Sequence, residues 1–145
     1  MIRTALAVAV LAFGATTLVA QNDPIAARKA LMKTNGDQNR VATEMLEGKR
    51  PFDLVEAKKV FVAFIEAGEK APALFPDNSK TGGDTAALPP IWENKADFNA
   101  RLAKLAAEAK AAGDATKDLD SFKAQITEVR KNCGGCHQTY RKRAS

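Results

Sequence analysis

Residues 122–140 read Phe-Lys-Ala-Gln-Ile-Thr-Glu-Val-Arg-Lys-Asn-Cys-Gly-Gly-Cys-His-Gln-Thr-Tyr. Within them Phe122, Ile126, Val129, Cys133, Cys136 and Tyr140 recur in alternating steps of four and three. That spacing is the narrow apolar seam of a helix packed at a shallow angle in a bundle. The same rhythm runs through Phe98, Leu102, Leu105, Ala109 and Ala112, and through Leu54, Ala57, Phe61 and Phe64. No run of alternating β-branched residues suggests a sheet.

Working outward, the helix boundaries follow from local chemistry. Asp23-Pro24 supplies an N-cap and a proline at the first helical position, for a helix running to about Glu47. Asp53-Leu54-Val55-Glu56 reads as a capping box opening a second helix that stops before Pro72. Asn94 begins a third, ended by Gly113, and the fourth runs from Asp118 to about Arg143. Four helices of about 30 Å each predict an all-α, antiparallel four-helix bundle. Residues 72–93, with Pro72, Pro76, Gly82, Gly83, Pro89 and Pro90, read as a loop. Leu74-Phe75 and Ile91-Trp92 are expected to pin its ends, with Trp92 as a packing anchor.

Cys133-Gly134-Gly135-Cys136-His137 carries the chemistry. C-x-x-C-H is the attachment signature of c-type haem. Two thiols add across the haem vinyl groups, and the adjacent imidazole supplies an axial nitrogen to iron. On a helix, spacings of three and four put all three side chains on one face. The chain has two Cys and one His in all, too few for a structural zinc site. A dithiol redox centre would want the first Cys at a helix N-terminus after a strand, and none precedes it. A plain disulfide, or two packing cysteines, leaves His137 unexplained.

A single histidine makes bis-histidine ligation within a monomer impossible. The sixth iron position is either empty or filled by Met, Lys, Tyr or an outside ligand. Beyond Met1 the methionines are Met32 and Met45. An antiparallel first helix brings Met32 to the level of His137, while Met45 lies about 20 Å further along. Thioether ligation would close the iron and raise its potential; an empty site would bind nitric oxide or carbon monoxide.

The N-terminus reads as a signal peptide over residues 1–20. Met1-Ile2-Arg3 is basic, and Thr4 to Ala20 is apolar or small. Roughly 17 residues is short for a membrane span, and Gly14, Ala15 and Thr16 suit an exported leader better than a retained anchor. Cleavage after Ala20 leaves one domain, residues 21–145, in the periplasm, with no stable membrane insertion. The formal charge is +5, or +4 without Arg3, and no basic stretch is interleaved with aromatics, which argues against nucleic acid. Arg130, Lys131, Arg141, Lys142 and Arg143 flank the motif, either as a solvated helix end or as a basic rim steering an acidic redox partner.

Leader, four helices and a C-terminal C-x-x-C-H together resemble the class II c-type cytochromes of bacteria, over essentially all of Gln21 to Ser145. In one branch, cytochrome c′, the haem is five-coordinate; in the other, the cytochrome c-556 type, methionine is the distal ligand. Leu31-Met32-Lys33-Thr34-Asn35-Gly36, Gly48-Lys49-Arg50-Pro51-Phe52-Asp53 and Leu74-Phe75-Pro76-Asp77 look most like the c-556 type. The resemblance implies one covalent haem c on Cys133 and Cys136, His137 as proximal ligand and Met32 as distal ligand. Some cytochromes c′ carry an unbonded Met at this place, so identity at position 32 alone does not settle the spin state. Arg28 matches a residue that contacts a haem propionate in cytochromes c′, or else is a surface charge. Single-electron transfer to redox partner proteins, and no enzyme activity, is the expected function. Cytochromes c′ commonly dimerise through their first two helices, which leaves a homodimer open here, with no interface legible in the sequence.

Overall fold

Each long helix begins at a side chain that accepts a backbone N–H otherwise left without a partner. Asp23 Oδ1 accepts from the N–H groups of Ile25 and Ala26 at 2.8 and 3.1 Å. Asp53 accepts from Glu56 at 2.9 Å, and Asn94 from Asp97 at 3.3 Å. Asp118 and Ser121 close a reciprocal capping box. Such caps contribute about 1 kcal/mol apiece. At Asp53 only half of the expected box forms, because the Glu56 carboxylate pairs with Lys59 at 2.6 Å.

The computed structural model describes residues 23–143, so the expected leader at 1–20 lies outside the described residues. The helices are α1 (Pro24–Leu46), α2 (Leu54–Lys70), a short α3 (Pro90–Glu93), α4 (Lys95–Ala115) and α5 (Leu119–Tyr140). None of them is long and apolar enough to cross a membrane. Cross-helix contacts fix the directions. Residues 101, 104 and 97 of α4 meet 135, 132 and 140 of α5 in turn. Arg130 of α5 reaches Asn39 and Thr43 of α1. Gly68 and Phe61 of α2 meet Ala106 and Gly113 of α4. The four long helices therefore form the expected antiparallel bundle.

Two helix ends differ from expectation. Gly113 does not stop α4; the helix continues to Ala115. The stop is made by buried Thr116, whose N–H and hydroxyl both donate to the Ala112 carbonyl. The last helix ends at Tyr140 rather than Arg143, because Arg141 turns extended and forms an antiparallel bridge with Ala87. The Leu88 N–H donates to the Tyr140 carbonyl at 3.0 Å, and the Lys142 N–H to that of Ala86 at 2.8 Å. Backbone pairing with the 86–88 segment outcompetes one more helical turn.

The 72–93 segment is more ordered than a loop. It contains 3₁₀ turns at Ala71–Leu74 and Asp77–Ser79 and the α3 turn. Phe75 and Ile91 are buried as expected. The Trp92 indole N–H donates to the carbonyls of Phe75 and Pro76 at 3.1 and 3.2 Å, making it the expected anchor.

The core divides in two. One half gathers Val60, Phe61, Phe64, Phe122 and Ile126 with Met45; the Phe61 and Phe122 rings meet edge-on at 5.7 Å. Met45 is 1% exposed and fills this core, whereas Cys136 packs against the other half. The other half stacks Phe75, Phe98 and Tyr140 edge to face, at 4.8 and 5.3 Å between centroids. That second cluster forms the floor of the site.

Candidate haem site

Between α1 and α5 lies a cavity of about 800 Å3. Close-packed protein interiors leave no such void, and the volume falls within the range of small-molecule and cofactor sites. Phe64, Ile91, Phe98, Leu102 and Leu105 supply an apolar wall from α2, α3 and α4. Met32 of α1 and Cys133, Cys136 and His137 of α5 also line it. The helical spacing thus brings the whole C-x-x-C-H set to one chamber, and the antiparallel register brings Met32 to the same chamber.

The donor chemistry fits covalent haem. Both cysteines are free and partly buried, and burial pushes both thiols above their ordinary pKa. A catalytic dithiol needs the opposite, a stabilised thiolate. Burial first, then the positive charge of Arg141, lowers the pKa of His137. Its imidazole is accordingly neutral at neutral pH, with a nitrogen lone pair free for a metal. Among the described residues no group of three or more His, Cys, Asp or Glu side chains could hold a bare metal ion. Two thiols, one imidazole and a large apolar chamber suit an iron carried inside a flat organic ring.

Arg28 is not a surface charge. It is 4% exposed, and its guanidinium lies 4.6 Å above the Phe75 ring. One terminal nitrogen donates to the Leu74 carbonyl and the Ser79 hydroxyl, the other to the Ser79 carbonyl and the Thr85 hydroxyl. Four hydrogen bonds thereby tie the 74–85 segment to α1. Every one of these acceptors is neutral, and burial lowers the Arg28 pKa. The Asp23 charge offsets part of that burial without a hydrogen bond to the guanidinium; a buried cation hydrogen-bonded only to neutral oxygens is costly, and this one borders the cavity.

Two further arginines brace the chamber. Arg130 donates to Asn39 Oδ1, the Asn39 carbonyl and Thr43 Oγ1 at 2.7 to 3.0 Å, spanning α5 to α1. Arg101 pairs with Asp97 at 2.7 Å and donates to the Gly135 carbonyl inside the attachment motif at 3.1 Å. The Tyr140 hydroxyl donates to the same Asp97 oxygen. These bonds from Tyr140 and Arg101 hold the Asp97 carboxyl below its ordinary pKa. The Asp97/Arg101 spacing of four is a visible ion-pair signal in the sequence. Its convergence on Gly135 and Tyr140 is not, since the partners are 34 and 43 residues apart.

Comparison with known proteins gives the same answer from another direction. The family model described as Cytochrome C′ matches residues 23–141. A cytochrome c′ of Rhodopseudomonas palustris is 45% identical over 144 residues, 99% of each chain. A cytochrome c-556 of the same organism is 30% identical over 145 residues, 97% of each chain. Both branches of the resemblance are represented, with the higher of these two identities on the cytochrome c′ side. The solved structure of cytochrome c′ from Rhodopseudomonas palustris superposes with a TM-score of 0.83 at 48% identity, covering 86% of this chain and 100% of that one. With fold, attachment motif and relatives in agreement, this chain belongs to the cytochrome c′ family of haem c proteins.

Proposed function

We propose that the protein is a periplasmic single-electron carrier whose haem iron is ligated by His137 and Met32, after removal of residues 1–20. The observation that carries this reading is that Met32 and His137 line one cavity from different helices, α1 and α5. Haem c supplies a one-electron iron centre, and thioether ligation favours its ferrous form. Cys133 and Cys136 tether it, and neutral His137 offers its nitrogen from α5. The apolar wall of Phe98, Leu102 and Leu105 keeps water from the iron. Arg28 is the candidate counter-charge for a propionate, since it is buried beside the cavity and hydrogen-bonds no carboxylate.

A second reading has one observation in its favour: the 45% identical relative is named cytochrome c′. In that reading Met32 lines the pocket without bonding, and the open iron site takes nitric oxide or carbon monoxide.

Met32→Ala separates the two. Loss of a sulfur ligand lowers the potential by a measurable share of the roughly 0.8 V over which axial ligands set haem potentials. It also creates carbon monoxide binding in the ferrous protein. Visible spectra of the exported wild type and variant, with and without carbon monoxide, check this. A wild type that already binds carbon monoxide, with a spectrum unchanged by the substitution, would favour the second reading. The mass of the same exported sample, expected at residues 21–145 plus one haem, tests leader removal and attachment together.

A further inference from the structure

The geometry points to an interaction surface: the mouth of the cavity is a cationic rim of Lys29, Arg141, Lys142 and Arg143 that docks the acidic face of a redox protein. This deepens the electron-carrier reading and rests on it.

The rim is a product of the fold. A helix continued to residue 143 would have carried the basic tail away along its axis. Instead α5 stops at Tyr140, and the tail is stitched antiparallel to residues 86–88. Ala86, Ala87 and Arg141 line the cavity, so the pairing holds the tail at its edge. From the facing side, Lys29 of α1 also lines the cavity, and its ammonium reaches the Gly83 carbonyl at 3.4 Å. Lys29, Arg141, Lys142 and Arg143 are all exposed.

Position rather than pairing singles these four out: among the described residues Lys58, Lys95, Lys117 and Lys123 also have no carboxylate within ion-pair distance, but none of them lines the cavity or belongs to the tail at its edge. Elsewhere on the surface, cations such as Lys59, Lys70 and Lys131 sit within ion-pair distance of a carboxylate. Among the described residues no carboxylate lies within that distance of the four rim cations. Inside the mouth, the Lys33 and Arg101 charges are answered by Asp37 and Asp97. The remaining cavity cations are Arg28, Lys29, Arg130 and Arg141, against one lining carboxylate, Asp84. Two propionates would not reverse that sign. A low-dielectric cleft edged by one sign of charge focuses its field outward and captures partners of the opposite sign. Screening over about 8 Å at physiological salt keeps the effect local to the mouth.

The test uses gold surfaces terminated in carboxylate or in trimethylammonium groups, read for bound mass and for the voltammetric wave of the haem. Wild-type holoprotein is expected to bind the carboxylate surface, with a clear wave, and to bind the ammonium surface several-fold less. Lys29→Glu combined with Lys142→Glu should lose most of both signals. Lys117→Glu combined with Lys123→Glu makes the same change in net charge just before and within the first turns of α5, Lys123 lying about 20 Å along the helix from His137, and should retain them. Equal losses in the two double variants would overturn the rim, leaving whole-molecule charge as the cause. A stronger wave on the ammonium surface would overturn it as well. Carbon monoxide spectra of the same samples report Met32 ligation separately, since the rim would hold the surface whether the iron has five or six ligands.

Discussion

The two long sides of this bundle solve opposite problems. Where α2 meets α4, small residues bring the backbones together: Ala67, Ala109 and Ala112 are all fully buried. At Gly68 a Cβ would stand 2.5 Å from the Leu102 carbonyl oxygen and 2.8 Å from the Ala106 Cβ. Where α1 faces α5, the helices touch far less, and long side chains such as Arg130 bridge a chamber of about 800 Å3. One side is therefore held by close packing, and the other by polar struts around space for a cofactor. A four-helix bundle can keep such a cavity because its opposite side is close-packed.

The sharpest way to break that contrast is in the packed half. Phe122 is fully buried and stacks on Phe52 and Phe61. Phe122→Ala should cost about 3–5 kcal/mol, read as a lower denaturant midpoint for the holoprotein. Its spectrum should be unchanged, because the cavity wall does not include it. Next in size is Gly68→Ala, which forces α2 from α4 and should cost about 1–3 kcal/mol in the same unfolding experiment. Near-neutral behaviour would mean that the two helices can part at this crossing without losing their packing.

The smallest effect sharpens the cavity side. Asp97 titrates below its ordinary value because Tyr140, and then Arg101, hydrogen-bond its charged form. A depressed folded pKa contributes stability that is present above the ordinary carboxylate pKa and lost as pH falls through the folded one. Asp97→Asn should therefore lower thermal stability above about pH 4, neutral pH included, and converge with wild type as the pH falls below it, which flattens the acid limb of the profile. An acid limb identical to wild type would remove Asp97 from the account.

Much of this architecture is legible in the chain itself. Phe122, Ile126, Val129, Cys133, Cys136 and Tyr140 can be read because helical periodicity and the attachment spacing are local properties, set within two turns. The N-caps Asp23, Asp53, Asn94 and Asp118 are legible for the same reason. Gly113 misleads because glycine weakens a helix without ending it, and the actual stop depends on Thr116. The resemblance singles out Arg28, but its burial is unreadable because its partners at 74–85 lie 46 to 57 residues away.

By itself, then, the sequence determined a helical bundle, a C-x-x-C-H haem-attachment motif at Cys133, Cys136 and His137, and a chain with one histidine. Those follow from residue identity and short-range spacing. Only the tertiary structure decided that Arg28 is buried, that Asp97, Arg101 and Tyr140 converge behind Gly135, and that the basic tail folds back to the cavity mouth. Each of these depends on which distant backbone groups remain open for hydrogen bonding once the helices have packed.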